Sequence, residues 1–141
     1  MDERYPIGET ESVSVAVLRH DRAEGYLQWS VAVGLRSGEA TVHVPGHYPG
    51  VLAGRLRAAD ARFAAGARLG RDEYLDLTAL AREDGEKLAL SSSARVPVRV
   101  TLEVPREELE PLSLLLDAAQ QLIEELRQGL GAVPDSVPDA F

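Results

Sequence analysis

The sequence predicts an α+β fold in which a β-β-β-α unit is written twice, and three observations lead there. Apolar residues alternate with polar ones over most of the chain, the period of half-buried antiparallel strands. Two stretches with helical apolar spacing each follow a third strand. The segment TVHVPGHYPGVL (41–52) returns sixty residues later as TLEVPREELEPL (101–112).

Matching residue n to n + 60 pairs Thr41 with Thr101, Val44 with Val104, Pro45 with Pro105, Leu52 with Leu112 and Leu56 with Leu116. It also pairs Ala58–Ala59 with Ala118–Ala119 and sets Phe63 against Ile123. Upstream, a three-residue shift sets Ala16, Arg19 and Asp21 against Ala79, Arg82 and Asp84, and Leu27 and Ser30 meet Leu88 and Ser91 across a gap. The expected organisation is one domain over 11–130, with pseudo-repeats at about 11–66 and 73–130 and flexible ends at 1–10 and 131–141. Two such units side by side give antiparallel sheet(s) with two helices packed on one face, a whirly-like or coactivator-like arrangement.

In the first half, Val13, Val15 and Val17 alternate with Ser12, Ser14 and Ala16. Leu27, Trp29, Val31 and Val33 form a second inner face, which places Trp29 in the core. Ala40, Val42 and Val44 form a third. HDRAEG and RSG carry turn residues between them. Leu52, Leu56, Ala59 and Phe63 then share one helical face, although Ala59, Ala61, Phe63, Ala65 and Ala67 also fit one face of a strand. The repeat favours helix over 52–66, at a cost of roughly 1 kcal/mol for Gly54.

In the second half, Leu75, Leu77 and Ala79 alternate, the turn EDGE follows, and Leu88 and Leu90 mark a short strand. Val96, Val98, Val100, Leu102 and Val104 make the cleanest inner face, with Pro97 at a strand start or a sheet edge. Leu109, Leu112, Leu116, Ala119, Ile123 and Leu126 are spaced 3-4-3-4-3. Pro111 predicts a loose turn over 106–109 and regular helix from about 111, with Gly129 as the C-cap.

With 141 residues, the chain is long enough to bury a core without staples. It has no cysteine, so disulfides, thiolate metal sites and cysteine catalysis are excluded. No run of 18 apolar residues occurs, which predicts no membrane insertion. MDERYPIGETES is acidic and polar rather than signal-like, and a cytoplasmic location is expected. The net charge of −8 lies wholly in the second half. Residues 1–70 carry eight basic and eight acidic side chains, and residues 71–141 carry seven and fifteen.

Chemistry-bearing constellations are few. His43 and His47 are four apart, but on a strand end and a loop, with no third ligand near in sequence. Ser91–Ser93 lacks a G-x-S-x-G context, and no phosphate-binding glycine motif occurs. No enzyme, metal or cofactor is therefore expected. Arg55, Arg57, Arg62 and Arg68 form a candidate basic stripe. Such a stripe would serve a single-stranded nucleic-acid binder, the alternative function, but the net acidity opposes it and outward strand positions such as Gln28 and Ser30 hold no stacking aromatic. Leu114, Leu115 and Leu122 widen the last helix's apolar stripe, and Phe141 ends an acidic, proline-containing tail. Leu115, Leu122 and Phe141, with the arginines, are the candidate interaction surface for protein partners or a second copy.

LRHDRAEGY (Leu18–Tyr26) resembles the LRYDxADPY stretch of the SsgA-like sporulation and cell-division proteins of actinobacteria, with Thr41–Val42, Val51–Ala53 and TALAREDGEKL (78–88) in compatible order. The resemblance spans about 13–90. HVPGHYPG replaces that family's tryptophan-and-arginine segment, and the strand 96–104 is an insertion. It implies a whirly-like, non-enzymatic protein that positions division machinery through protein contacts. Leu18, Arg19, Asp21, Ala23 and Tyr26 carry it as turn residues. The expected function is a self-associating protein-binding adaptor or regulator in cell division, septation or sporulation.

Overall fold

The computed structural model describes residues 2–21, 27–93 and 99–129. The chain is α+β. β1 (Asp2–Glu9), β2 (Val13–Asp21), β3 (Leu27–Leu35) and β4 (Thr41–Pro45) form one antiparallel sheet in chain order, followed by α1 (Pro49–Ala61). β5 (Arg68–Arg71), β6 (Leu75–Arg82), β7 (Gly85–Ser92) and β8 (Thr101–Pro105) form a second sheet of the same order. A 3-10 turn (Arg106–Glu108) then leads into α2 (Leu109–Gly129).

Four expectations need correction. Each sheet has four strands where three were expected: residues 2–9, expected to be flexible, pair with β2, and Arg68–Arg71 pairs with β6. Each of these edge strands carries a bulge that breaks its alternation, so neither reads as a strand in sequence. The first helix ends at Ala61 rather than near 66, and the chain turns through Gly66, whose φ of 86° suits glycine. β8 begins at Thr101; residues 96–98 of the expected strand lie outside the described residues. α2 begins at Leu109, so Pro111 sits within its first turn, where a missing N–H breaks no helical bond.

The core is shared by both sheets and both helices. Val13, Val15 and Val17, Trp29, Val31 and Val33, and Val42 and Val44 bury the inner face of the first sheet. Leu75, Leu77, Ala79, Leu88, Leu90, Leu102 and Val104 do so for the second. Leu52, Leu56 and Ala59 of α1 and Leu112, Leu116 and Ala119 of α2 join the same core, all fully buried. β4 with β8, and α1 with α2, begin exactly sixty residues apart, and their buried positions correspond at that offset. Gln28 and Ser30, expected to point outward into solvent, are buried.

Strand registers refine the internal correspondence. Val15 pairs with Val33, and Leu77 with Leu90, so β2 maps to β6 at an offset of 62 and β3 to β7 at 57. That offset differs by one from the three-residue shift read from Ala16 and Ala79, and an odd slip in a strand exchanges its two faces. Ala79 is the inward counterpart of Val17. The edge strands also map at 62. The bulge between Pro6 and Gly8 answers the one between Arg68 and Gly70, and Gly8 opposes Val15 as Gly70 opposes Leu77.

Where β4 ends, the Gly46 backbone packs closely against Trp29. A Cβ there would lie 2.7 Å from Trp29 Cβ and 3.1 Å from the Trp29 carbonyl oxygen. Neither atom is the tip of a flexible side chain. Gly46→Ala is expected to lower stability by about 1–3 kcal/mol, the usual cost of overpacking, and urea denaturation would measure it.

Candidate functional site

The helices run antiparallel and exchange equivalent contacts. Gly50 N donates to Gln120 Oε1 (3.1 Å), and Gln120 Nε2 donates to Gly46 O (3.2 Å). At the equivalent place, sixty residues on, Arg106 Nε donates to Asp60 Oδ1 (2.8 Å). Between them Arg57 Nη2 donates to Asp117 Oδ2 (2.9 Å), a residue bonding its own counterpart and so marking a local dyad.

Each helix start is braced against the first hairpin of the other half. Glu108, only 7% exposed, accepts from Thr10 Oγ1, from Ser12 N (2.9 Å) and from Ser12 Oγ (2.7 Å) in the β1–β2 turn. Its counterpart Tyr48 donates to Asp72 Oδ2 (2.5 Å) in the β5–β6 turn. The polarity is reversed: the helix supplies the acceptor in one brace and the donor in the other. Thr10 Oγ1 accepts from Val13 N as Asp72 Oδ1 accepts from Leu75 N, so each brace grows from a side-chain-closed turn. Burial pushes the Glu108 carboxyl up, but the hydrogen bonds from Thr10 and Ser12 outweigh it and hold it below the usual range. For Asp72, burial is likewise outweighed by the bonds from Tyr48, Leu75 N and Tyr74 N and by Arg55. Burial first, then the bond to Asp72, pushes the Tyr48 phenol up.

The second brace also takes in Arg55. Its Nη1 donates to Asp72 Oδ2 (2.9 Å) and Leu75 O (3.1 Å) and touches the Tyr48 oxygen. Gly70, with φ 139°, leaves space there: a Cβ on it would lie 3.2 Å from Arg55 Nη2. Tyr74 packs edge-on against Tyr48 at 4.8 Å, and its hydroxyl lies 3.3 Å from His47 Nε2. Asp72→Ala would remove the acceptor of the Tyr48 hydroxyl and the ion-pair partner of Arg55 at once, leaving Arg55 its bonds to Leu75 O and the Tyr48 oxygen. It is expected to cost about 2–3 kcal/mol, checked by thermal unfolding beside the milder Tyr48→Phe.

The sequence-derived site residues do not come together as one surface. Arg55 belongs to this brace, Arg57 is neutralised by Asp117 and Glu110, Arg62 donates to the Ala58 and Leu69 carbonyls, and Arg68 lies exposed on β5. The four arginines are thus not a continuous basic stripe, because acids from distant elements reach two of them. Leu115 and Leu122 are half-buried against the core, and a Cβ on Gly8 would meet Leu115 Cδ2 at 2.7 Å. They are packing residues rather than a free surface. Phe141 lies outside the described residues, as do Arg22–Tyr26 of the resemblance. His43 is exposed on β4; desolvation, then His20 and Arg4, pushes its pKa down. Among the described residues no group of three His, Asp or Glu side chains is placed to hold a metal ion, and no helix is long and apolar enough to cross a membrane.

An open polar concavity of about 400 Å³ lies beside the dyad, lined by Asp60, Glu86, Arg106, Glu107 and Glu110. Arg106 sits 4.6 Å from the Phe63 ring and binds Asp60 and Glu86, so its charge is spent within the fold.

The outer side of the helix pair is different. Val51 (53% exposed) and Leu114 (58%) are the exposed large apolar side chains among the described residues. On α1, Val51, Gly54, Ala58 and Ala61 form an exposed stripe at 3-4-3 spacing; on α2, Pro111, Leu114, Ala118 and Gln121 do the same. Leu114 and Gly54 are counterparts at the sixty-residue offset. Leu114, expected to widen the apolar stripe of the last helix, is instead exposed: it stands in a run of three leucines, of which Leu116 is core. The signal was available in phase: Leu114 lies two residues from both Leu112 and Leu116, opposite their stripe.

No protein-family model matches the chain, and no curated protein matches it.

Proposed function

We propose that this chain is a non-enzymatic protein-binding adaptor or regulator whose working surface is the outer face of the α1–α2 pair. The observation that carries this reading is the placement of Val51 and Leu114, which expose apolar area on two rigid, buried-footed helices. Its ionisable clusters support the same reading: the acids and arginines around Asp72, Glu108 and Arg106 are engaged in bracing one half against the other. We also read the two halves as copies of one β-β-β-β-α unit in a whirly-like arrangement. The shared bulges, turns and braces support a duplication. A place in bacterial cell division or sporulation rests on the LRHDRAEGY resemblance. The nucleic-acid alternative is less favoured, since the arginines proposed for it are partly neutralised.

A photo-reactive residue in place of Leu114, activated in cells, tests the reading. A covalent adduct with a polypeptide is expected, and none from the same probe at Arg71 on β5. Adducts at Arg71 but never at Leu114 would defeat it.

A further inference from the structure

We propose that the occupant of this face is a second copy of the chain, docked about a two-fold axis so that α1 of one copy lies over α2 of the other. The inference rests on the protein-binding reading above and names its partner.

Two features of the face argue for a copy. The first is shape. The α1 stripe is small at Gly54, Ala58 and Ala61, and a Cβ on Gly54 would meet nothing within 4 Å. The α2 stripe presents Leu114, the more exposed of the two large apolar side chains. A knob on one helix and a shallow seat on the other complement each other only when α1 meets α2, because two α2 helices would set Leu114 against Leu114.

The second feature is charge. On α1, Arg55 and Arg57 are already paired with acids of their own chain, which leaves Arg62, just after the helix, as the cation that makes no ion pair among the described residues. α2 is acidic beyond the Glu110 and Asp117 that pair with Arg57: it also carries Glu124 and Glu125, both exposed, against Arg127, with Glu107 just before it. Two in-plane two-fold axes are available to a pair of antiparallel helices. One stacks α1 on α1 and α2 on α2, setting acids on acids. The other stacks α1 on α2, brings Arg62 toward the Glu107–Glu110 end, and places Glu124 near the positive N-terminal end of the partner's α1. In that second arrangement the antiparallel pairing within each copy, fixed by Arg57–Asp117, seats Leu114 over the Ala58–Ala61 part of the partner's α1.

Light scattering on the intact, untagged chain is the test, with Ala58→Gln and Leu114→Asp as variants. Both positions are exposed helix surface, so unfolding temperatures should stay near wild type. The wild-type mass is expected to rise from 15.2 kDa toward twice that value with concentration, and each variant should weaken association at least tenfold. A wild type that stays monomeric, or a dimer indifferent to both variants, would overturn the proposal. A photo-adduct at Leu114 of the mass of one chain plus a different protein would also overturn it, yet leave the protein-binding reading standing. Adducts confined to Arg71 would sink both.

Discussion

Replacing Glu108 with alanine is expected to destabilise the protein by about 2–3 kcal/mol near neutral pH, since hydrogen bonds to a charged group contribute about 1.5–3 kcal/mol. The substitution removes the acceptor for three donors in the β1–β2 turn: Thr10 Oγ1, Ser12 N and Ser12 Oγ. Water reaches that half-exposed turn in part, which keeps the loss below the sum of three such bonds. Glu108→Gln retains the shape and one acceptor oxygen and should lose less. The pH dependence has a fixed sign. The folded-state pKa lies below the unfolded value, near 4.5, so the contribution is fully present above about 4.5. It is lost as pH falls through the lower, folded value. The stability gap between wild type and Glu108→Gln should therefore be widest near neutral pH and shrink in acid. Urea denaturation of both proteins across that range checks this; a constant gap would mean that the carboxylate is not what closes the brace.

Leu116→Ala should be costlier still, at about 3–5 kcal/mol, because it removes a fully buried side chain from the shared core. Leu56, its counterpart on α1, is equally buried and should show a similar loss. The neighbouring leucines of α2 supply the contrast. Leu115→Ala should cost less, since Leu115 is half-buried at the edge of the core, beside Gly8. Leu114→Ala should be nearly neutral in the monomer. Thermal unfolding of the three adjacent variants, measured at low protein concentration, would order them 116, 115, 114. Any other order would misplace the phase of α2.

That phase, and most of the inner strands, could be read from the residues alone. Val13–Val17, Leu75–Ala79 and the two helices each turn one apolar face to a shared core, and periodicity reports such faces directly. β1 and β5 were not legible. DERYPIGE and RLGR lie at sheet edges, turn few large apolar groups inward, and carry a bulge that disrupts their period. The candidate site failed for a different reason. Arg57 looked free on a helical wheel, but Asp117, which neutralises it, is sixty residues away in sequence. Likewise, nothing local to Glu108 announces that its partners are Thr10 and Ser12. Long-range pairing decides which charges remain for a partner, and one-dimensional patterning does not contain it.

The absence of cysteine makes the most direct test of the working surface clean. Two single variants, Ala58→Cys and Leu114→Cys, are oxidised separately and then as a mixture. A disulfide needs Cα atoms within about 7 Å, so it reports which residues meet across an interface. The α1-over-α2 arrangement predicts little covalent dimer from either variant alone and abundant mixed dimer when they are combined. Efficient self-linking of Leu114→Cys, or no linkage in the mixture, would contradict it.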